Sequence, residues 1–386
     1  MEQVAGVKVT QTRDVLSVVP AGPEDAVLLN VPPNSPVVQV RGVGYTAAGT
    51  PARYTEAIYR SDRFEFTTQN TLLGDVAPDE LGVTDAHDHL IRSGGMEIVH
   101  DKDFRLDDVD KAIQEMELFI AAGGKTLVDM DPIGCGRNVP KMLEIAERLK
   151  GRAHIILTTG FQRGEFYDNN TDWAATCTVD QIAELLIAEI TKGLDRHSYN
   201  GPVVERVAAK AGIVKAGTGY GAITDFEKKI FRAVALTQQE TGVLIMTHTE
   251  RGTMAMEQVQ LWREYGADVE KLVLSHTQKN PDPWYHLRLL ETGVTLCYDG
   301  PARTKYYPDS VISNLIFSAV NAGFQKQLLL CMDAGRASYQ KAYGGGYGID
   351  YMLTVFVPRL RSEGLAESAI EDMLINNPAR LFAMDN

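Results

Sequence analysis

From Asn70 onward, short apolar runs alternate with stretches whose apolar residues recur at helical spacing. The runs are Gly82–Leu90, Lys125–Asp131, His154–Gly160, Gly212–Lys215, Val243–His248, Leu272–His276, Val294–Tyr298 and Leu328–Asp333. Between them, Val109–Ala121, Val139–Leu149, Ile182–Ile190, Phe226–Gln239 and Val259–Tyr265 carry the 3.6-residue period of an amphipathic helix. Strand and helix in alternation predict a parallel α/β architecture. Eight such runs, over the length that fold needs, predict a (β/α)8 TIM barrel, with a doubly wound sheet of about six strands as the second choice.

Residues 1–69 have a different texture. Val15–Pro20, Val27–Asn30, Val37–Tyr45 and Ala52–Tyr59 are short segments rich in β-branched residues. Pro32-Pro33-Asn34-Ser35-Pro36 and Ala47-Ala48-Gly49-Thr50-Pro51 punctuate them. They predict a small β-rich module at 1–69, followed by the barrel at 70–386. Within it, Val31–Arg41, Arg53-Tyr54-Thr55-Glu56 and Tyr59–Phe64 resemble the C-terminal half of the UTRA effector-binding domain of GntR-type regulators. That resemblance implies either a metabolite sensor or a recruited module that packs on the barrel or forms a dimer interface. The second is preferred, because half of a ligand-binding domain rarely retains a whole pocket.

Composition narrows the classes. The chain has 386 residues and 44% hydrophobic content, which suits one large domain with an appendage. Cys135, Cys177, Cys297 and Cys331 show no C-x-x-C spacing, so reduced core thiols and a reducing compartment are expected. The start, Met1-Glu2-Gln3-Val4, is not a basic stretch leading into an apolar one, and no apolar run reaches about 18 residues. A cytoplasmic protein without a membrane partner is the expectation. A net charge of −13, spread along the chain, argues against nucleic acid. The expected partners are a small anionic molecule and a second copy of the chain, as a dimer.

The candidate chemistry starts at Val83–Leu90, a buried strand that ends in His87-Asp88-His89. The two-residue period of a strand puts both imidazoles on one face. An H-x-H pair alone is weak evidence of a metal. Lys215, His248, His276 and Asp333, however, stand at or near the ends of further runs, where a barrel carries its working residues. Four imidazoles and a carboxylate suit Zn²⁺, Mn²⁺, Co²⁺ or Fe²⁺, and are too many for one four-coordinate zinc with an open position, so two ions are expected. An ammonium offers a metal no lone pair. Burial beside two cations would lower the pKa of Lys215, and the free amine could then add CO2 to form a bridging carbamate. The alternative is an ordinary ion-paired or snorkelling lysine.

Asn70–Thr84 ahead of His87-Asp88-His89, then Gly212-Ile213-Val214-Lys215-Ala216, Thr247-His248-Thr249, Ser275-His276-Thr277, Asp333 and the closing Asn377–Phe382, resemble the phosphotriesterase-like branch of the amidohydrolase superfamily over about residues 70–386. The resemblance implies that His87, His89 and Asp333 bind a more buried metal, that His248 and His276 bind a more exposed one, and that carboxylated Lys215 bridges them. It implies a metal-dependent hydrolase with two divalent ions, zinc first and manganese or cobalt as alternatives. A bridging water would supply hydroxide near neutral pH, with Asp333 as the catalytic proton acceptor. The family more often has His-Glu-His, so Asp88 is a departure. Its side chain is expected to face away from the metals.

Lys279, Arg303 and Lys305 gather with Tyr306 and Tyr307 in the loops after the sixth and seventh strands. In an acidic chain they suggest an anionic group on the substrate, or else they neutralise Asp282 and Asp309. The Arg303–Tyr306 spacing resembles the subgroup that opens phosphorylated sugar lactones, with Lys279 as the third substrate-binding residue. The expected reaction is opening of a lactone or ester, a phosphorylated sugar lactone first. Alternatives are a neutral lactone, carboxylate ester or phosphotriester, and a catalytically silent sensor. Arg163, Tyr167, Glu250 and Arg251 could line the mouth, and Gly344–Gly348 reads as a lid or turn.

Overall fold

The structure, a computed structural model, describes residues 11–46, 49–63, 67–167 and 172–385. Ala47, Ala48 and Phe64 of the expected module lie outside the described residues. The chain divides into a unit ending at Phe66 and a unit running Thr67–Asp385.

In the first unit, β1 (Gln11–Pro20), β2 (Pro36–Tyr45) and β3 (Pro51–Arg60) make an antiparallel sheet in that order. The segment Val27-Leu28-Leu29, expected to be extended, belongs instead to the helix Pro23–Leu29. Pro23 presets the first turn, Glu24 and Asp25 sit at the positive end of the helix dipole, and Asn30 closes the helix in the left-handed region at φ 50°. These local signals outweigh the strand preference of one valine. Ala21, Ala26 and Val37 form the small core, with Val19, Leu29, Val31 and Ile58 packed against it.

The second unit opens with the hairpin of β4 (Thr67–Thr71) and β5 (Gly74–Val76), and β14 (Met384–Asp385) pairs with β4 at the end of the chain. Eight parallel strands follow: β6 (Thr84–Asp88), β7 (Thr126–Asp129), β8 (His154–Gly160), β9 (Ile213–Thr218), β10 (Ile245–Thr249), β11 (Leu272–Ser275), β12 (Thr295–Tyr298) and β13 (Leu328–Leu330). Each falls within or overlaps one of the eight apolar runs, and the strands pair in sequence order. At the seam between β6 and β13, the Asp333 N–H donates to His87 O at 2.8 Å. The sheet is thus nearly closed, and the fold is the expected (β/α)8 barrel.

Two apolar layers hold it. Inside the barrel, Ala86, Val128, Met130, Ile156, Ile213, Met246, Val273, Cys297 and Leu329 meet from successive strands. Outside, strands bury against helices such as Val109–Ala121, Asp225–Thr241 and Ala255–Glu264. Phe231 and Trp262 from the last two stack with centroids 4.2 Å apart. Glu227, in the first turn of Asp225–Thr241, completes a capping box with Thr224 and also accepts from Gly164 N (2.9 Å) and Gly219 N (3.0 Å). One buried carboxylate therefore ties the loops after β8 and β9 to a helix. Gly160 (φ 95°) is needed where it stands, since a Cβ there would lie 2.1 Å from Lys215 O. Cys135, Cys297 and Cys331 are free and buried, and Cys177 is free. Among the described residues, no helix is long and apolar enough to cross a membrane.

Candidate active site

The C-terminal ends of the barrel strands open into a cavity of about 530 Å³. His87, His89, Lys215, His248, His276, Lys279, Arg303, Tyr306 and Asp333 all line it. His89 and Asp333, 244 positions apart in the chain, meet with Nε2 and Oδ1 3.2 Å apart. His87 Nε2 lies 3.8 Å from the same oxygen. The His276 ring centroid is 5.1 Å from that of His87 and 4.5 Å from that of His248. The donor atoms of His87, His89 and Asp333 are close enough to share one cation, and so are those of His87, His276 and Asp299.

Three of the imidazoles are gripped at Nδ1. His87 Nδ1 is 3.1 Å from Ser275 Oγ. His89 Nδ1 is 3.1 Å from Asp131 Oδ1, and Asp131 is paired in turn with Arg92 at 2.6 Å. His276 Nδ1 is 2.8 Å from Asp299 Oδ1, which also accepts from Gln278 Nε2 at 2.6 Å. A carboxylate beside Nδ1, as at His89 and His276, favours the tautomer that leaves Nε2 for a ligand. His248 is held differently, with Glu250 Oε2 2.9 Å from its Nε2. His276 and Asp333 sit in the left-handed region at φ 68° and 48°. Each such conformation costs about 1–3 kcal/mol and persists where the surroundings over-determine it.

Protonation follows from burial and neighbours. Burial pushes His87 and His248 well below the ordinary histidine pKa and lowers His276 as well, so these rings are neutral donors at pH 7. Burial also pulls on His89, yet Asp131 and Asp333 outweigh it and hold that ring above the ordinary value. Burial would raise Asp333, but Arg303 and the imidazoles keep it well below the usual carboxylate range. Lys215 donates to Met130 O at 2.7 Å, and burial lowers its pKa despite Asp131 and Glu97 nearby. Three neutral imidazoles, His89 beside its carboxylates, an ionised Asp333 and a lysine of weakened basicity form a donor set that fits divalent cations.

The second group of expected residues is less uniform. Arg303 is buried and turned onto Asp333: Nη1 donates to Oδ2 at 2.8 Å, and Nη2 donates to Met332 O at 2.5 Å and to Asp333 O. Lys279 is mostly buried, which lowers its pKa against the pull of Asp299 and Asp333. Tyr306 is 56% exposed at the rim, with Lys305 Nζ 5.1 Å above its ring. Arg163 and Glu250 line the cavity, whereas Tyr167 is a core residue whose hydroxyl donates to Ile133 O at 2.7 Å. Asp88 is buried outside the lining, accepting from His89 N (2.7 Å) and Ala334 N (2.9 Å). Gly344–Gly348 forms a turn closed by Gly346 N to Ser338 O and Gly348 N to Tyr339 O. Asp299, Asp131, Ser275 and Arg92 were not anticipated. The first three stand at or just past strand ends, the signal that singled out Asp333.

The sequence profile of the phosphotriesterase family matches residues 67–382. The chain belongs to the phosphotriesterase family. It is therefore a hydrolytic enzyme of a metal-dependent family. The UTRA domain profile matches residues 1–65, ahead of the phosphotriesterase-family barrel. A phospho-furanose lactonase of Mycoplasmopsis agalactiae is 46% identical over 321 residues, covering 82% of this chain and 91% of that one. The crystal structure of an amidohydrolase from Mycoplasma synoviae superposes with a TM-score of 0.81 at 45% identity, covering 83% of this chain and 93% of the other. The phosphotriesterase homology protein of Escherichia coli, solved with phosphate in its active site, gives a TM-score of 0.71 at 31% identity, covering 79% and 99%.

Proposed function

We propose that this phosphotriesterase-family enzyme opens a sugar lactone that carries a phosphate. The observation that carries the reading is Lys279 with Tyr306 in the same cavity as the metal-ligand set, beside an Arg303 that is bonded to Asp333, in a chain of net charge −13. A relative named phospho-furanose lactonase and another solved with phosphate in its active site support it. His87, His89 and Asp333 would hold one cation and His248 and His276 a second, with Lys215, carboxylated by CO2, as the shared anion. Such a pair supplies Lewis acidity and lowers the pKa of water.

The remaining work falls to the chain. Asp131, Ser275 and Asp299 orient the imidazoles through Nδ1. Asp333, kept ionised by Arg303, accepts the proton of the attacking water at Oδ1 and returns it to the ring oxygen as the ester bond breaks. Lys279 and Tyr306 hold the phosphate and so position the ring. The hold of Arg303 on Asp333 favours a second reading, in which Arg303 serves the catalytic carboxylate and the substrate is a plain lactone or ester.

One experiment separates the two. Metal content and kcat/KM are measured for wild type and Lys279→Ala on a five-membered sugar lactone with and without its phosphate. A charged contact contributes about 1.5–3 kcal/mol, so its loss costs roughly 10- to 150-fold. That loss is expected on the phosphorylated lactone, with an effect of no more than about threefold on the plain one. Equal losses on both transfer the function to the second reading. In the same series His248→Ala is expected to lose about one ion per chain with most of the activity.

A further inference from the structure

Glu250 stands two residues beyond His248, just past the end of β10, and lines the cavity. It opens the 3-10 turn Glu250–Gly252 that follows the strand, and its side chain lines the cavity with that of His248. Its Oε2 is 2.9 Å from His248 Nε2 and is ion-paired with Arg163. Arg163 is paired also with Glu165, and its guanidinium lies 4.7 Å from the Phe166 ring centroid. The Glu250 and Arg163 side chains are 22% and 18% exposed, so both charges are largely withdrawn from water. Glu250 Oε1 has Arg251 Nε at 4.0 Å, beyond hydrogen-bond reach.

A carboxylate in this position has an awkward charge for an anionic substrate and offers nothing to an alkyl ring. It is an acceptor-only group, and with Oε2 held by His248 and Arg163 its Oε1 is the oxygen turned to a hydroxyl donor. From this we infer that Glu250 selects the substrate: it accepts hydrogen bonds from the ring hydroxyls of a polyhydroxylated lactone, while Arg163 holds the carboxylate in place. The inference rests on the lactone reading above. A site built around a hydroxyl rejects the analogue that lacks it, because the remaining acceptor oxygen, here Oε1, is left without its donor. Glu250 is thus a specificity residue, and no bond is made or broken at it.

The test uses the metal-loaded, full-length enzyme and two phosphorylated five-membered lactones that differ in the hydroxyl beside the carbonyl. Their kcat/KM ratio is measured for wild type, Glu250→Gln, Glu250→Ala and Arg163→Ala, with metal content determined on every sample. Wild type is expected to prefer the hydroxylated lactone by at least about tenfold. Glu250→Ala should bring the ratio to within about threefold of unity. Glu250→Gln, which keeps one acceptor oxygen, should fall between, with metal content unchanged throughout. A ratio unaltered in Glu250→Ala overturns the inference, as does loss of metal in that variant, which would make Glu250 a ligand. Collapse of the ratio in Arg163→Ala, with Glu250→Ala unaffected, assigns the hydroxyl to Arg163 and overturns it too. Failure of wild type to open either lactone defeats the lactone reading itself, a result separate from all of these.

Discussion

Asp299 grips His276 from behind, and that grip is testable without touching a proposed ligand. Asp299→Asn preserves shape but removes the anionic acceptor for Nδ1–H. The variant is expected to retain its more weakly held cation roughly 10- to 100-fold less tightly, read by competition with a chelator. Unchanged retention would show that packing alone orients the ring. Arg303 is a less clean probe than Lys279, because it bonds both the carboxylate and the backbone carbonyl of Asp333. Arg303→Ala is accordingly expected to lower kcat/KM on phosphorylated and plain lactones alike, whereas Lys279→Ala separates them. At this scale the sequence revealed candidates through residue type and strand-end position. It could not show that Arg303 faces Asp333, since that contact joins loops 30 positions apart. Nor did it single out Asp299 or Asp131, because an acid after a strand looks the same whether it orients a histidine or caps a turn.

At the scale of elements, all eight barrel strands were legible because each is a short apolar run between helical stretches. Helix ends moved by a few residues where caps decided, as at Thr178 and Thr224, whose capping boxes start their helices at Val179 and Asp225, ahead of the expected starts at Ile182 and Phe226. Pro23–Leu29 was missed because it buries little besides Ala26, so periodicity had almost nothing to report. Another contact between elements is expected to contribute to acid stability. His286, on the helix Pro283–Leu290, sets Nδ1 2.9 Å from Tyr298 OH on β12 and donates from Nε2 to Asn280 O at 2.9 Å. Burial holds its pKa below the ordinary value. The folded protein therefore keeps His286 neutral, while the unfolded chain takes up a proton near pH 6.5. Stability present above about pH 6.5 is lost as the pH falls below it. The urea midpoint should drop between about pH 7.5 and pH 5.5, and less steeply in His286→Asn, which starts from a lower midpoint. Parallel slopes in the two proteins would exclude His286 as a contributor.

For the whole molecule, the proposed ligands span the seam of the barrel, with His87 and His89 on its first strand and Asp333 just after its last. A cation shared by these residues binds the folded state and not the open chain, so it adds RT ln(1 + [L]/Kd), about 4 kcal/mol at a thousandfold excess over Kd. Stripping the metal with a chelator is expected to lower the melting temperature by several degrees, restored by adding a divalent ion back and followed by calorimetry. A melting temperature indifferent to the chelator would overturn the seam-spanning ligand set.

The hydrogen bond from Asp333 N to His87 O has a bearing on how the protein is made. Nascent chains emerge N-terminus first. His87 and His89 therefore leave the ribosome long before the residue that would complete their metal, and the strand bearing them waits as an open edge until β13 arrives. On the proposed ligand set, metal acquisition is a late event of biogenesis, after synthesis of nearly the whole barrel. A ribosome stalled at Leu330 would carry the four proposed ligand imidazoles and no Asp333 to finish the site.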